Sequence, residues 1–152
     1  MRALVQRVRE AALSVVDPQP VRLGSIGRGY VVLLGVHAQD TPEDAALLAR
    51  RVAGLRIFDD EAGKLNRSLV EIGGEVLSVP QFTLYADTRR GRRPSFVEAA
   101  PPERAEPLYR YFNQQLEASG VRVVPGRFGA HMVVEIHNDG PVTILLESPR
   151  RG

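Results

Sequence analysis

Residues 30–37 read YVVLLGVH, an unbroken apolar run rich in β-branched side chains. A strand with one wetted face alternates apolar and polar residues. A strand with no such alternation is covered on both faces. The chain must therefore build a sheet with packing on each side of this segment. Two segments can supply helical cover. In TPEDAALLARRVAGLRIF, Thr41 is placed as N-cap, Pro42 at the first helical position and Glu43 and Asp44 in the first turn. Ala45, Leu48, Val52 and Leu55 recur at helical spacing, which predicts a helix from about 42 to 55. PPERAEPLYRYFNQQLEASG, 101–120, predicts a second helix with prolines at its start and Gly120 at its end. Pro107 marks either a kink or the true start of that helix.

The remaining segments read mainly as strands. RALVQRV (2–8) alternates apolar and polar, and AALSVVD continues extended until DPQP breaks it. VRLGSIGRG is a short strand and a turn. DDEAGKLNRSLVEIGG is a loop with a short strand at its end. EVLSVPQFTLYA (75–86) is a strand interrupted by Pro80, and VRVVPG, HMVVEIH and VTILLE are three further strands. A length of 152 residues without repeat or linker suits one domain, 1–152. The fold class is α/β: one strand-rich domain with mixed and antiparallel pairing and two main helices.

Several function classes lose support. The chain has no cysteine, so it has neither a disulfide framework nor a thiolate nucleophile. No apolar stretch approaches the ~20 residues of a membrane span, and the first residues lack the order of a signal peptide. The expectation is a soluble, cytoplasmic protein. His131 and His137 fall six apart in one strand-like run, ~20 Å at ~3.3 Å per residue, and cannot share a metal. No HExxH, phosphate-cradling glycine loop or GxSxG elbow is present. No metal and no cofactor are expected.

Two proline-interrupted strands stand out. SVPQFTLYADT carries Pro80, Gln81, Phe82 and Thr83, and NDGPVT carries Asn138, Gly140, Pro141 and Thr143. Proline cannot donate to a ladder, so backbone groups beside it are free to face something else. They line a pocket, or they are edge-strand ends with ordinary turns; both readings stand. Thr83 is a weak nucleophile with no base near it in sequence, and it also suits strand packing. Net charge is only +2, but Arg89, Arg90, Arg92 and Arg93 fall within five residues. Such a cluster grips phosphates or is simply a solvated loop.

At PQFT (80–83) and NDGPVT (138–143) the chain resembles the D-aminoacyl-tRNA deacylases. The similarity runs from MRALVQRV through LRIFDDEAGKLNRSL, ADTRRGRRPSF and GRFGAHM to the second motif. It implies a partly closed barrel with the helices outside, assembled as a homodimer. It implies hydrolysis of the ester joining a D-amino acid, or glycine, to the terminal ribose of tRNA. It assigns catalysis to the stretch Gln81, Phe82 and Thr83, whose backbone N–H groups would hold the oxyanion. Thr83 then lines or orients rather than attacks. The resemblance makes the Gly140–Pro141 bond cis and sends it into the partner's active site, where it excludes L-side chains. Arg7 is implied to brace that pair, Ala105 to edge the pocket and Met132 to lie near the terminal adenosine. Arg89, Arg90, Arg92 and Arg93 become candidate contacts to aminoacyl-tRNA. One departure is Pro80, where the family usually has serine. It leaves a non-catalytic tRNA-binding module as the alternative.

Overall fold

The computed structural model describes residues 1–149. β1 (Arg2–Val15) is the organising strand. Its first half pairs antiparallel with β3 (Gly29–Gly35), and its second half with β2 (Val21–Ile26). β8 (Met132–Glu147) runs antiparallel along both halves. Beyond β3 the sheet turns parallel, through β6 (Glu75–Pro80) to β7 (Arg122–Pro125). The resulting sheet is mixed, in the order β2-β1-β3-β6-β7 with β8 beside β1. It curls until β2 approaches β7: Arg122 Nη1 donates to the Ser25 carbonyl at 3.2 Å. A Cβ on Gly24 would stand 2.7 Å from a Val124 methyl. The barrel is thus partly closed.

The run at 30–37 is covered on both faces, as its composition demands. Val31 points into the barrel with Leu13, Leu77, Val79 and Val124. Val32 points outward to the helices, and both are fully buried. The outer layer is α1 (Pro42–Gly54) and α2 (Pro102–Ala118). Leu48, Val52, Leu108, Phe112 and Leu116 present their apolar faces to the sheet. Thr41 caps α1 through a reciprocal box in which its N–H donates to the Asp44 carboxylate at 2.8 Å. Pro107 lies inside α2, which starts at Pro102. As the sixth residue of α2 it forgoes the bond that an N–H there would make to the Glu103 carbonyl, a cost the packing of the helix on the sheet outweighs.

Three elements differ from the sequence expectation. HMVVEIH and VTILLE are one strand, β8, and not two. Residues 75–86 form a strand only to Pro80, followed by a 3₁₀ turn at Phe82–Tyr85. The loop after α1 carries its short strands early, as a hairpin of β4 (Phe58–Asp59) and β5 (Leu65–Arg67). Among the described residues, no helix is long and apolar enough to cross a membrane.

Candidate active site

Where β6 ends, the sheet leaves a cleft of about 480 Å³. Its floor is Leu34 and Pro80, paired in the β3–β6 ladder. One wall is the start of α2 with Pro101, Ala105 and Tyr109, and another is the segment from Phe128 to Met132. Phe82 and Phe96 meet edge to face at 4.9 Å between centroids and form the rim. Phe82 keeps 57% of its surface exposed, a large apolar face left open. The fold therefore gathers Gln81, Phe82, Ala105 and Met132 around one cavity. Sequence reasoning did not single out Phe96, Pro101, Tyr109 or Phe128. Phe96 and Phe128 carried a signal, as parts of ADTRRGRRPSF and GRFGAHM.

The polar chemistry of the cleft lies in the 3₁₀ turn. The Gln81 N–H is spent in the sheet, donating to the Leu34 carbonyl at 2.8 Å. The first N–H groups of a helical turn have no partner within it, so those of Phe82 and Thr83 are unused by the turn; Phe82 lines the cleft, and Thr83 follows it without lining the cleft itself. The Gln81 side-chain amide donates to the Thr83 hydroxyl. None of His37, His131 and His137 lines the cleft, so Thr83 has no imidazole base there. The turn is held from behind. Arg2 Nη1 donates to the Leu84 carbonyl at 2.7 Å, and Arg2 lies over the Tyr85 ring at 4.6 Å. At Gly35 an added Cβ would stand 3.0 Å from Leu84 and 3.1 Å from the Gln81 carbonyl, so the turn sits directly on β3.

Pro80 fits its place for a geometric reason. Backbone groups alternate sides along a strand. The Gln81 N–H points to β3, so the position-80 nitrogen points to the other side. There β7 has ended at Pro125. The proline removes no ladder bond.

Gly140 and Pro141 lie elsewhere. They are exposed, outside the cleft, and eight positions beyond Met132, ~26 Å of strand at ~3.3 Å per residue. Their peptide bond is cis. The β1 partners step from Gln6↔Thr143 to Val8↔Asn138, so residues 139–142 bulge out of the ladder. Asn138 closes the bulge: its Oδ1 accepts from the Val142 N–H at 3.0 Å, and its Nδ2 donates to the Val142 carbonyl at 3.2 Å. Arg7, buried beneath, donates from Nε to the Asp139 carbonyl at 2.9 Å and from Nη1 to the Ile57 carbonyl at 2.8 Å. Asp59 adds an ion pair at 3.4 Å. The Arg7 charge faces Tyr30, whose hydroxyl burial pushes well above the usual phenol range.

The arginine loop is tied at its neck by paired backbone bonds between Asp87 and Ser95, at 2.7 and 2.8 Å. Gly91 turns its tip with φ +69°. Arg89 is bound to Asp87 through Nε at 2.9 Å and Nη2 at 2.7 Å. Arg90, Arg92 and Arg93 are exposed. The Arg89 hydrogen bonds hold the Asp87 carboxyl down at about 2. A depressed folded pKa favours the folded loop above the unfolded value of 3.8, and that contribution is lost as pH falls through about 2. A carboxyl-resolved NMR titration should place the Asp87 midpoint near 2 and move it toward 3.8 in Arg89→Ala. An unchanged midpoint would refute the pairing.

A partly closed α/β barrel with an open apolar cleft at the end of β6 defines the class of fold that the chain adopts. Comparison with known proteins makes this specific. The family model described as D-Tyr-tRNA(Tyr) deacylase matches residues 4–147. A protein named D-aminoacyl-tRNA deacylase from Deinococcus deserti is 57% identical over 98% of this chain and 100% of its own. One of the same name from Symbiobacterium thermophilum is 57% identical over 99% and 97%. A solved structure named c-Myc DNA Unwinding Element Binding Protein superposes with a TM-score of 0.90 at 42% identity, covering 99% of this chain and 100% of that one. The chain belongs to the D-Tyr-tRNA(Tyr) deacylase family, and deacylases are hydrolases that act on ester bonds.

Proposed function

We propose that this chain hydrolyses the ester linking a D-amino acid to the terminal ribose of tRNA, and the glycyl ester as well. The observation that carries this reading is the 3₁₀ turn at the cleft mouth. Its Phe82 and Thr83 N–H groups suit a developing oxyanion, and no nucleophile–base pair accompanies them. An ester has a good leaving group. Water adds to the carbonyl carbon, the bond to the ribose oxygen breaks, and the proton passes to that oxygen with help from the neighbouring 2′-hydroxyl. One preorganised donor is worth roughly 3–4 kcal/mol at the transition state. The products are free D-amino acid and tRNA, formed in the cytoplasm.

Chiral selection is assigned to Gly140 and Pro141 acting across a homodimer. Two features support a second copy. Among the described residues β8 pairs only with β1, which leaves a 16-residue edge carrying the exposed Val133, Ile136 and Leu145. The Gly140–Pro141 bulge lies on that strand, exposed and outside its own cleft. In a partner's cleft its carbonyl groups would meet the substrate's amino group and its wall would collide with an L-side chain. Glycine offers nothing to collide. The exposed arginines of the 89–93 loop are assigned to phosphates of the acceptor end.

The test is a deacylation time course on D-Tyr-tRNA, L-Tyr-tRNA and Gly-tRNA. Loss of the D and glycyl esters with the L ester intact is the expected result. Tight tRNA binding without turnover of any ester would replace this reading with the RNA-binding one. Pro80→Ser restores the family's serine, and it is expected to change kcat less than about fivefold, since no ladder bond depends on position 80. A change of 100-fold in the same assay would give that serine a direct role.

A further inference from the structure

Tyr109 ties two walls of the cleft together through its side-chain hydroxyl. It projects from α2, is 3% exposed, and lines the cavity beside Ala105. Its hydroxyl donates to the Ser78 carbonyl at 2.7 Å, two residues before Pro80. It also accepts from the Gly126 N–H at 3.0 Å, where the chain leaves β7 for Phe128 and Met132. The same Gly126 N–H donates to the Ser78 carbonyl at 2.8 Å. A hydroxyl, a carbonyl and an N–H therefore close a triangle beneath the cleft floor. Gly126 has little freedom within it: an added Cβ would stand 3.1 Å from Met132 Sδ and 3.2 Å from Pro80 Cδ. Burial pushes the Tyr109 hydroxyl above the usual phenol range, so it stays protonated and able to donate at working pH. The ring does separate work, meeting Phe128 at 6.2 Å between centroids.

We propose that Tyr109 is a positioning residue for hydrolysis: its hydroxyl locks the end of β6 to the Gly126–Met132 segment. That lock sets the distance between the turn amides at Phe82 and Thr83 and the wall that receives the terminal nucleoside. It rests on the deacylase reading for its catalytic consequence, but the lock itself is independent of substrate. Loss of orientation on an ångström scale costs on the order of 100-fold in rate when reacting groups must be held in register. A partial loosening costs less.

Tyr109→Phe removes the hydroxyl and keeps the packing. With D-Tyr-tRNA, measured well below the variant's melting temperature, kcat should fall about tenfold and KM should change less than twofold. Tyr111→Phe, two residues further along α2 and outside the cleft, serves as control and should match wild type. A merely structural role would lower the melting temperature and leave kcat intact in the folded variant, and that result overturns the proposal. Amide hydrogen exchange needs no substrate. Exchange at Gly126 and Gln81 should rise about fivefold in Tyr109→Phe, the loss of roughly one net hydrogen bond. Unchanged exchange at both refutes the lock whatever the enzyme does. Inactive wild type with raised exchange in the variant would leave the lock standing and remove the deacylase reading instead.

Discussion

Arg7→Met is expected to lower hydrolysis of D-aminoacyl-tRNA by about 100-fold and to destabilise the fold by roughly 3–5 kcal/mol. Arg7 is 8% exposed and holds two backbone carbonyls, those of Asp139 and Ile57. Methionine fills much of the volume but donates nothing. Each carbonyl left buried without a donor costs about 1–3 kcal/mol, and bonds from a charged donor lie at the upper end. The ion pair to Asp59 adds little, because that carboxylate is 56% exposed. The activity loss has a different origin. Asp139 is the first residue of the bulge, so the arginine fork fixes where Gly140 and Pro141 stand. Arg7→Lys keeps the charge and loses the fork, and it should fall between wild type and Arg7→Met. Thermal melts beside a D-Tyr-tRNA time course decide it. A folded Arg7→Met with the wild-type rate would show that the bulge needs no brace.

Gly140→Ala is expected to abolish at least 99% of the activity while the protein stays folded and keeps the assembly state of the wild type. Gly140 has φ +135°, a region nearly closed to residues with a Cβ. Space is also lacking: the added carbon would stand 2.7 Å from Val142 Cγ2, 3.0 Å from the Val142 nitrogen and 3.2 Å from Arg7 Nη2. The bulge must move, at a cost of about 1–3 kcal/mol, and it is exposed enough to move without unfolding the sheet. Subunit mixing then tests the crossed arrangement. Ala130→Trp blocks the cleft itself, because Ala130 lines it. Equal mixing of the two inactive variants, unfolded and refolded together, makes half the dimers mixed. In a mixed dimer with crossed sites, one of the two sites takes both intact parts, which restores about one quarter of wild-type activity. If Gly140 serves the cleft of its own chain, the mixture stays inactive.

Much of the fold was legible because its signals were local. The Thr41-Pro42-Glu43-Asp44 start located α1 to within a residue, since capping, proline and charge all act within one turn. The run at 30–37 announced a doubly covered strand. The two prolines misled in opposite directions. Pro80 was read as an interruption and is the end of a strand. Pro141 was read as a break and sits inside one continuous strand. The difference is Asn138, whose side chain supplies the donor and the acceptor that the ladder loses at the bulge. Side-chain rescue of a backbone bond depends on four residues folding back on themselves, and no periodicity reports it.

By itself the sequence determined the two helices, the doubly covered strand β3, the resemblance to a deacylase family and the two motifs on which the chemistry is proposed to rest. Tertiary structure alone decided what those motifs face. It brought Gln81 and Phe82 against Ala105 and Met132, and it left Gly140 and Pro141 outside that cleft. It spent the Gln81 N–H on Leu34 and tied the walls through Tyr109. The physical reason is that propensity and capping act over a few residues. Cleft walls and hydrogen-bond partners come from chain segments far apart in sequence, joined only when the sheet curls and α2 packs upon it.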